Sequence, residues 1–238
     1  EFARQVFPRE TLLRLPTSWL TIGHVDELVK MLRYRPGERC EIELLLNSPD
    51  VALTLLKKAG DEAFLDELEY GGTRVGQISS IQELCQLRHG QLRHAKGSKD
   101  STGSVGLKDS HCSRLRSDEL SRLVDENAEL RATLTLIQRN QEEIKERISK
   151  VYSERMPDCR LKWMEVPALY LAAREGNSLK PRSGRSVFPS LTNGIMVNET
   201  YIVADPGNPV FRKSFTAELA KSSINVVYVP FGQDVFRG

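Results

Sequence analysis

The sequence predicts a mixed α/β fold, and three observations carry that prediction. Apolar runs of strand length stand at Cys40–Leu46 near the start and Ile224–Val229 near the end. Between them, residues 118–153 carry leucine and isoleucine at alternating three- and four-residue steps, the period of a helix. Helix-start and turn signals separate the strand runs, so strands and helices alternate along the chain.

The elements follow in order. Ile22–Leu32 and Cys40–Leu46 read as a hairpin, with Arg35-Pro36-Gly37-Glu38 as its turn. Ser48-Pro49-Asp50 is a helix start. Serine caps, proline suits the first helical position, and the aspartate favours the positive end of the dipole. Val51, Leu55, Leu56 and Ala59 mark the helix, and Gly60 stops it. Glu69-Tyr70-Gly71-Gly72 begins a loop, and Ile81–Leu87 starts another helix. Residues 88–116 are rich in Gly, Ser and Lys. They bury too little to offset their ordering entropy and read as a mobile, solvated insertion.

Residues 118–153 read as one long helix. Leu120, Leu123, Leu130, Leu134, Ile137, Ile144, Ile148 and Val151 form the stripe, with Asn127 and Gln141 at its remaining positions. A heptad stripe of this kind suits a two-stranded coiled coil, and it equally suits a helix packed on a sheet. The residues alone leave both open: packing within the domain, or a noncatalytic module that dimerises through 118–153. Beyond it, Leu161–Val166 reads as a strand, and Gly194–Val197 with Tyr201–Ala204 as a hairpin turning at Asn198-Glu199-Thr200. Asp205-Pro206-Gly207-Asn208-Pro209 is a rigid loop, Phe211–Lys221 a helix, and Ile224–Val229 a buried strand.

Composition narrows the function classes. The 238 residues are 39% hydrophobic and 28% charged, with a net charge of +2, which points to no polyanionic partner such as nucleic acid. No run of 18 apolar residues is present to span a membrane. The first residue is Glu1 and not Met, which fits a fragment of a longer protein, or a processed or designed polypeptide. The four cysteines, Cys40, Cys85, Cys112 and Cys159, have no metal-ligand spacing. Their scatter reads as separate thiols in a reducing compartment, with Cys40 a core thiol and Cys159 in a turn.

The segment richest in chemistry is Trp19-Leu20-Thr21-Ile22-Gly23-His24-Val25-Asp26-Glu27. Read as β-structure, it places His24 and Asp26 side by side on one face, with Ile22 next in line. A carboxylate beside an imidazole suits a cationic substrate that gains or loses protons. Taken alone, so short a motif is more often a strand end with an ordinarily hydrogen-bonded histidine.

Its setting adds to it. Ser18-Trp19 and Gly23-His24-Val25-Asp26-Glu27 are followed by Ile42-Glu43-Leu44-Leu45-Leu46-Asn47-Ser48-Pro49. Further on come Val187-Phe188-Pro189, Asn193-Gly194-Ile195-Met196-Val197 and Val203-Ala204-Asp205-Pro206. In order and spacing this series resembles the C-terminal catalytic domain of the protein-arginine deiminases, over nearly all of residues 1–238. The resemblance implies about three modules of a five-bladed α/β propeller, the fold of the guanidine-modifying enzymes. It also implies a calcium-dependent, cytoplasmic hydrolase that turns peptidyl-arginine into peptidyl-citrulline and ammonia. Protein substrates with exposed arginine would be its partners, without nucleic acid or membrane, and a homodimer is compatible.

By the same resemblance His24 is the general acid/base, Asp26 a carboxylate that grips the guanidinium, and Ile22 lines the substrate stem. Glu27 is left as structural. The family's nucleophilic cysteine lies in a Gly-x-x-His-Cys-x-Thr-Asn segment, which none of the four cysteines matches. It is expected just after Gly238, and the calcium ligands upstream of Glu1, so the chain by itself is expected to be inactive. A fragment of a free-arginine or agmatine deiminase is the remaining alternative.

Overall fold

The computed structural model describes Leu15 and residues 25–37, 40–60, 69–70, 73–74, 116–175 and 178–229. Its architecture is mixed α/β, with two three-stranded sheets and two short hairpins.

The first sheet has the order β1-β2-β5, with β1 at Val29–Arg35, β2 at Glu41–Ser48 and β5 at Arg160–Pro167. β1 pairs antiparallel with β2, and β5 pairs parallel to β2 on its other side. β2 is buried along almost its whole length, with Glu43 and Asn47 buried beside the apolar Leu44–Leu46 run. Its side chains alternate between two cores: Ile42 and Leu44 join one hydrophobic cluster, and Leu45 joins the other.

Helix α1, Pro49–Ala59, starts where expected. The Ser48 hydroxyl accepts from the Val51 amide at 3.3 Å, Pro49 occupies the first turn, and Gly60 ends the helix at φ 60°. Between α1 and β5, β3 (Glu69–Tyr70) and β4 (Thr73–Arg74) form a two-stranded hairpin in the segment expected to be loop.

The 118–153 stripe is two helices, not one. α2 spans Ser117–Glu126 and α3 spans Ala128–Arg155. Asn127 separates them at φ −93° and ψ 103°. Its amide still bonds the Leu123 carbonyl, while its side chain accepts from the Leu130 amide at 2.9 Å and caps the second helix. The stripe faces inward. Leu120, Leu130, Leu134, Ile137, Ile144 and Ile148 lie in the first core with Ala52 and Leu56 of α1 and Tyr170 and Leu171. That burial takes away the surface a coiled-coil partner would need, so the dimerising-module alternative is not followed further.

After β5 the chain forms a hairpin that the sequence pattern did not announce, β6 (Tyr170–Glu175) with β7 (Ser178–Ser186). The second three-stranded sheet has the order β10-β9-β8, with β8 at Gly194–Val197, β9 at Thr200–Ala204 and β10 at Asn225–Val229. Asn198, at φ 55°, takes the left-handed position in the β8–β9 turn. α4, Pro209–Ala220, is capped by the Asn208 side chain and also opens on proline. Its Phe215 and Leu219 join Leu45, Met164 and Tyr201 in the second core.

The two sheets repeat one connectivity. A strand pairs antiparallel with the next, a helical connection follows, and the last strand returns parallel on the far side of the middle one. One expectation fails here. β10 is a sheet edge with one open face: Val227 and Val229 are exposed, as are Ile195 and Val197 of β8.

The cysteine reading changes as well. Cys40 and Cys159 form a disulfide. They immediately precede paired parallel strands, with Glu41 opposite Arg160, so the fold itself brings them face to face. Spacing along the chain carries no trace of this, because 119 residues separate them. Cys85, Cys112, the 81–87 helix start and nearly all of the 88–116 insertion lie outside the described residues.

Candidate active site

The parallel pairing of β2 with β5 puts the C-terminal ends of both strands at one edge, with Asn47 opposite Val166 and Ser48 opposite Pro167. β1 runs antiparallel and therefore begins at that same edge, with Val29 opposite Leu46. The residues just before β1 are thus delivered to the end of the central strand. They form a 3-10 turn, Val25–Glu27, closed by the Leu28 amide on the Val25 carbonyl at 2.9 Å.

Asp26 sits exposed in that turn. The expected strand geometry for His24 and Asp26 therefore does not hold at Asp26. Ladder pairing starts only at Val29, and the alternation that would put i and i+2 on one face does not extend into the turn. His24 and Ile22 lie outside the described residues.

The backbone of the turn is gripped by side chains from distant segments. Thr192 donates its hydroxyl to the Asp26 carbonyl at 2.9 Å. Ser190 donates to the Glu27 carbonyl at 3.1 Å, and the Asn47 amide nitrogen donates to the same carbonyl. Asn47 also binds the turn through its backbone, its N–H reaching the Leu28 carbonyl at 3.0 Å. The side-chain nitrogen of Asn47 further reaches Ser190 Oγ at 2.8 Å and the Tyr170 hydroxyl at 3.1 Å. The Ser190 and Thr192 hydroxyls lie 2.7 Å apart.

This polar cluster is largely buried, with Ser190 partly exposed. Asn47 and Thr192 are fully buried and Tyr170 is 1% exposed. In such surroundings each hydrogen bond is stronger and each broken one costs more. Among the described residues, the Asn47 side-chain oxygen has no hydrogen-bond partner. Burial pushes the Tyr170 phenol well above its ordinary pKa, the Glu27 carboxylate adds to the rise, and the bond from Asn47 opposes it. Tyr170 is therefore a neutral hydrogen-bonding member of the cluster, not a base.

Tyr201 of β9 supports the cluster from behind. Its hydroxyl donates to the carbonyls of Leu191 and Thr192 at 3.1 and 2.9 Å. The second sheet thereby holds the loop that holds the turn.

Two of the sequence segments singled out above thus converge, the Gly23–Glu27 stretch at its Asp26-Glu27 end and the Ile42–Pro49 stretch at Asn47, and they are joined by Ser190 and Thr192 from the gap between Val187–Pro189 and Asn193–Val197. Asn47, Tyr170, Ser190 and Thr192 were not among the expected site residues. Only Asn47 carried a signal, as an amide ending an otherwise apolar strand run.

The disulfide stands apart from this cluster. Cys40 precedes β2 and Asn47 lies near its end, about 23 Å away at roughly 3.3 Å per residue. Among the described residues, no group of three or more His, Cys, Asp or Glu is placed to hold a metal ion, and no helix is long and apolar enough to cross a membrane. The described residues do not furnish a calcium site, so no step below runs through calcium.

A family model described as protein-arginine deiminase (PAD) matches residues 5–235. Among curated proteins, nothing matches the chain.

Proposed function

The chain belongs to the protein-arginine deiminase family, whose activity is hydrolysis of an amidine, and on that premise we propose that it forms part of an enzyme acting on arginine side chains of proteins. Water and peptidyl-arginine become peptidyl-citrulline and ammonia. The observation that supports this reading is the convergence just described. Stretches 20 and 163 residues from Glu27 meet on the turn that carries Asp26.

In the proposed mechanism Asp26 binds the guanidinium through charge-assisted hydrogen bonds and orients its central carbon. A thiolate adds to that carbon. His24, as imidazolium, gives a proton to the departing nitrogen, and ammonia leaves a thiouronium adduct. His24, now neutral, takes a proton from water as it adds to the same carbon. The C–S bond then breaks and returns the thiolate, and the remaining hydroxyl proton passes to solvent, where it converts ammonia to ammonium and leaves neutral citrulline. Ile22 packs along the aliphatic stem. Cys40 and Cys159 are bonded to each other, and no cysteine of the chain stands in a segment like the family's nucleophile motif. The thiolate is therefore assigned to sequence beyond these 238 residues, and calcium, where the family uses it, to ligands beyond them as well.

On the same reading the two repeated strand–strand–helix–strand units are blades of a five-bladed α/β propeller. The open apolar face at Ile195, Val197, Val227 and Val229 is where the next blade packs.

The test is citrulline formation from benzoyl-arginine amide and from an arginine-containing protein. The protein carrying its flanking sequence should be assayed with and without added calcium, beside the 238-residue chain. Activity is expected only for the former. Asp26→Asn and His24→Ala should each lower it by roughly 100- to 10,000-fold, the scale of a positioned charge or proton-transfer group. Asp26→Asn turning over at the wild-type rate would remove Asp26 from the mechanism.

A further inference from the structure

Asp26 is exposed, yet the backbone that carries it is held from a buried side. Thr192 binds the Asp26 carbonyl, Ser190 and Asn47 bind the next carbonyl, and Asn47 binds the one after through its own N–H. Three successive carbonyls are thereby fixed. A 3-10 turn has weak internal hydrogen bonding and little reason to keep one conformation unaided.

We propose that Thr192, Ser190 and Asn47 are positioning residues that set where the Asp26 carboxylate stands, and so set the affinity of the site for a guanidinium cation. The proposal rests on the reading of Asp26 as the guanidinium-binding carboxylate. Thr192 is the decisive member, because its hydroxyl alone reaches the Asp26 carbonyl among the bonds described. The Thr192 side chain is wholly buried, which fixes the position of that hydroxyl. The Ser190 hydroxyl lies 2.7 Å from that of Thr192, and the Asn47 side chain ties Ser190 to the end of β2. The side chain of Asp26 is left free to face substrate while its backbone is immobilised.

The experiment uses the full chain with Thr192→Val, which keeps the shape and deletes the hydroxyl, and Thr192→Ser, which restores it. Two ligands are titrated: benzoyl-arginine amide, a cation, and benzoyl-citrulline amide, its neutral counterpart. Amide exchange is followed at Leu28 and Asn47, whose N–H groups close the turn and tie it to β2.

Thr192→Val is expected to speed exchange at both amides. It should weaken the arginine ligand about tenfold, on the scale of one buried hydrogen bond, and leave the citrulline ligand unchanged. Thr192→Ser should return both readouts toward wild type. Equal weakening of both ligands would mean general loosening of the structure and would overturn the proposal. So would unchanged arginine preference in Thr192→Val. A wild-type chain with no preference for the cation would instead overturn the reading of Asp26 on which the proposal stands. In that case unchanged exchange in Thr192→Val would refute the mechanical part separately.

Discussion

Glu43 and Lys162 face each other across the parallel pair β2–β5, and the lysine ammonium donates to the glutamate carboxylate at 2.9 Å. Arg33 lies opposite Glu43 on β1, so a cation, an anion and a cation form one row across the first sheet. The row meets the end of α4, where the Ser222 hydroxyl donates to the same carboxylate oxygen at 2.6 Å and the Ser222 carbonyl accepts from Arg33 at 3.0 Å. Glu43 is 1% exposed. Its charge is tolerable only because these donors replace water.

Burial works to raise the Glu43 pKa, but the bonds from Lys162 and Ser222 outweigh it and hold the carboxyl below its ordinary value of 4.5. A depressed folded-state pKa contributes stability above the unfolded value, and that stability is lost as pH falls through the folded value. Glu43→Gln should therefore destabilise the chain by about 3 kcal/mol at pH 7, because it strands two cations. The gap to wild type should close on acidification below pH 4.5. Urea denaturation midpoints at neutral pH and near pH 3 measure it. A gap independent of pH would show that the charge of Glu43 is irrelevant to folding.

The disulfide should matter for stability and not for the Asp26 turn. Closing a loop across 119 residues stabilises by about 4 to 5 kcal/mol in the chain-entropy model. Reduction, or the double replacement Cys40→Ser with Cys159→Ser, should lower Tm by about 10 °C. Reductant should have no further effect on the double variant. Exchange at Leu28 should be unaltered, because the bond lies at the opposite end of β2. A melting curve insensitive to reductant would show that the bond contributes nothing to stability.

Gln141 is a stabilising target. It is 1% exposed on the buried stripe of α3, and among the described residues neither its amide nitrogen nor its amide oxygen has a hydrogen-bond partner. Gln141→Met keeps the length of the side chain and removes the stranded polar atoms. The unfolding free energy should rise by about 1 to 3 kcal/mol. A fall in the denaturation midpoint would reveal a water or a ligand group bound to that amide.

Gly194 has no room for a side chain. A Cβ there would stand 2.6 Å from Tyr201 Cζ and 2.7 Å from the Ile202 carbonyl oxygen. Gly194→Ala should cost about 1 to 3 kcal/mol, as overpacking does. It should also disturb Tyr201, and with it the Leu191 and Thr192 carbonyls that Tyr201 holds. Thermal denaturation gives the first effect, and faster exchange at Leu28 the second. Full stability in Gly194→Ala would show that the β8–β9 pair yields easily.

The elements written in short-range chemistry were legible from the sequence alone. Ser48-Pro49 with Gly60, the Leu44–Leu46 run of β2, the β8–β9 hairpin and the apolar stripe of residues 118–153 depend on neighbours a few positions away. What depended on distant chain was decided by the tertiary structure. Asp26 leaves the strand because β1 pairs only from Val29, and its turn is held by Thr192, 166 residues away. Cys40 meets Cys159 because two parallel strands start together. β10, apolar enough to be buried on both sides, keeps an open face because, among the described residues, nothing covers that side of its sheet at Ile195, Val197, Val227 and Val229. Local periodicity records which face of a segment is apolar, and only the packing of segments determines what, if anything, lies against that face.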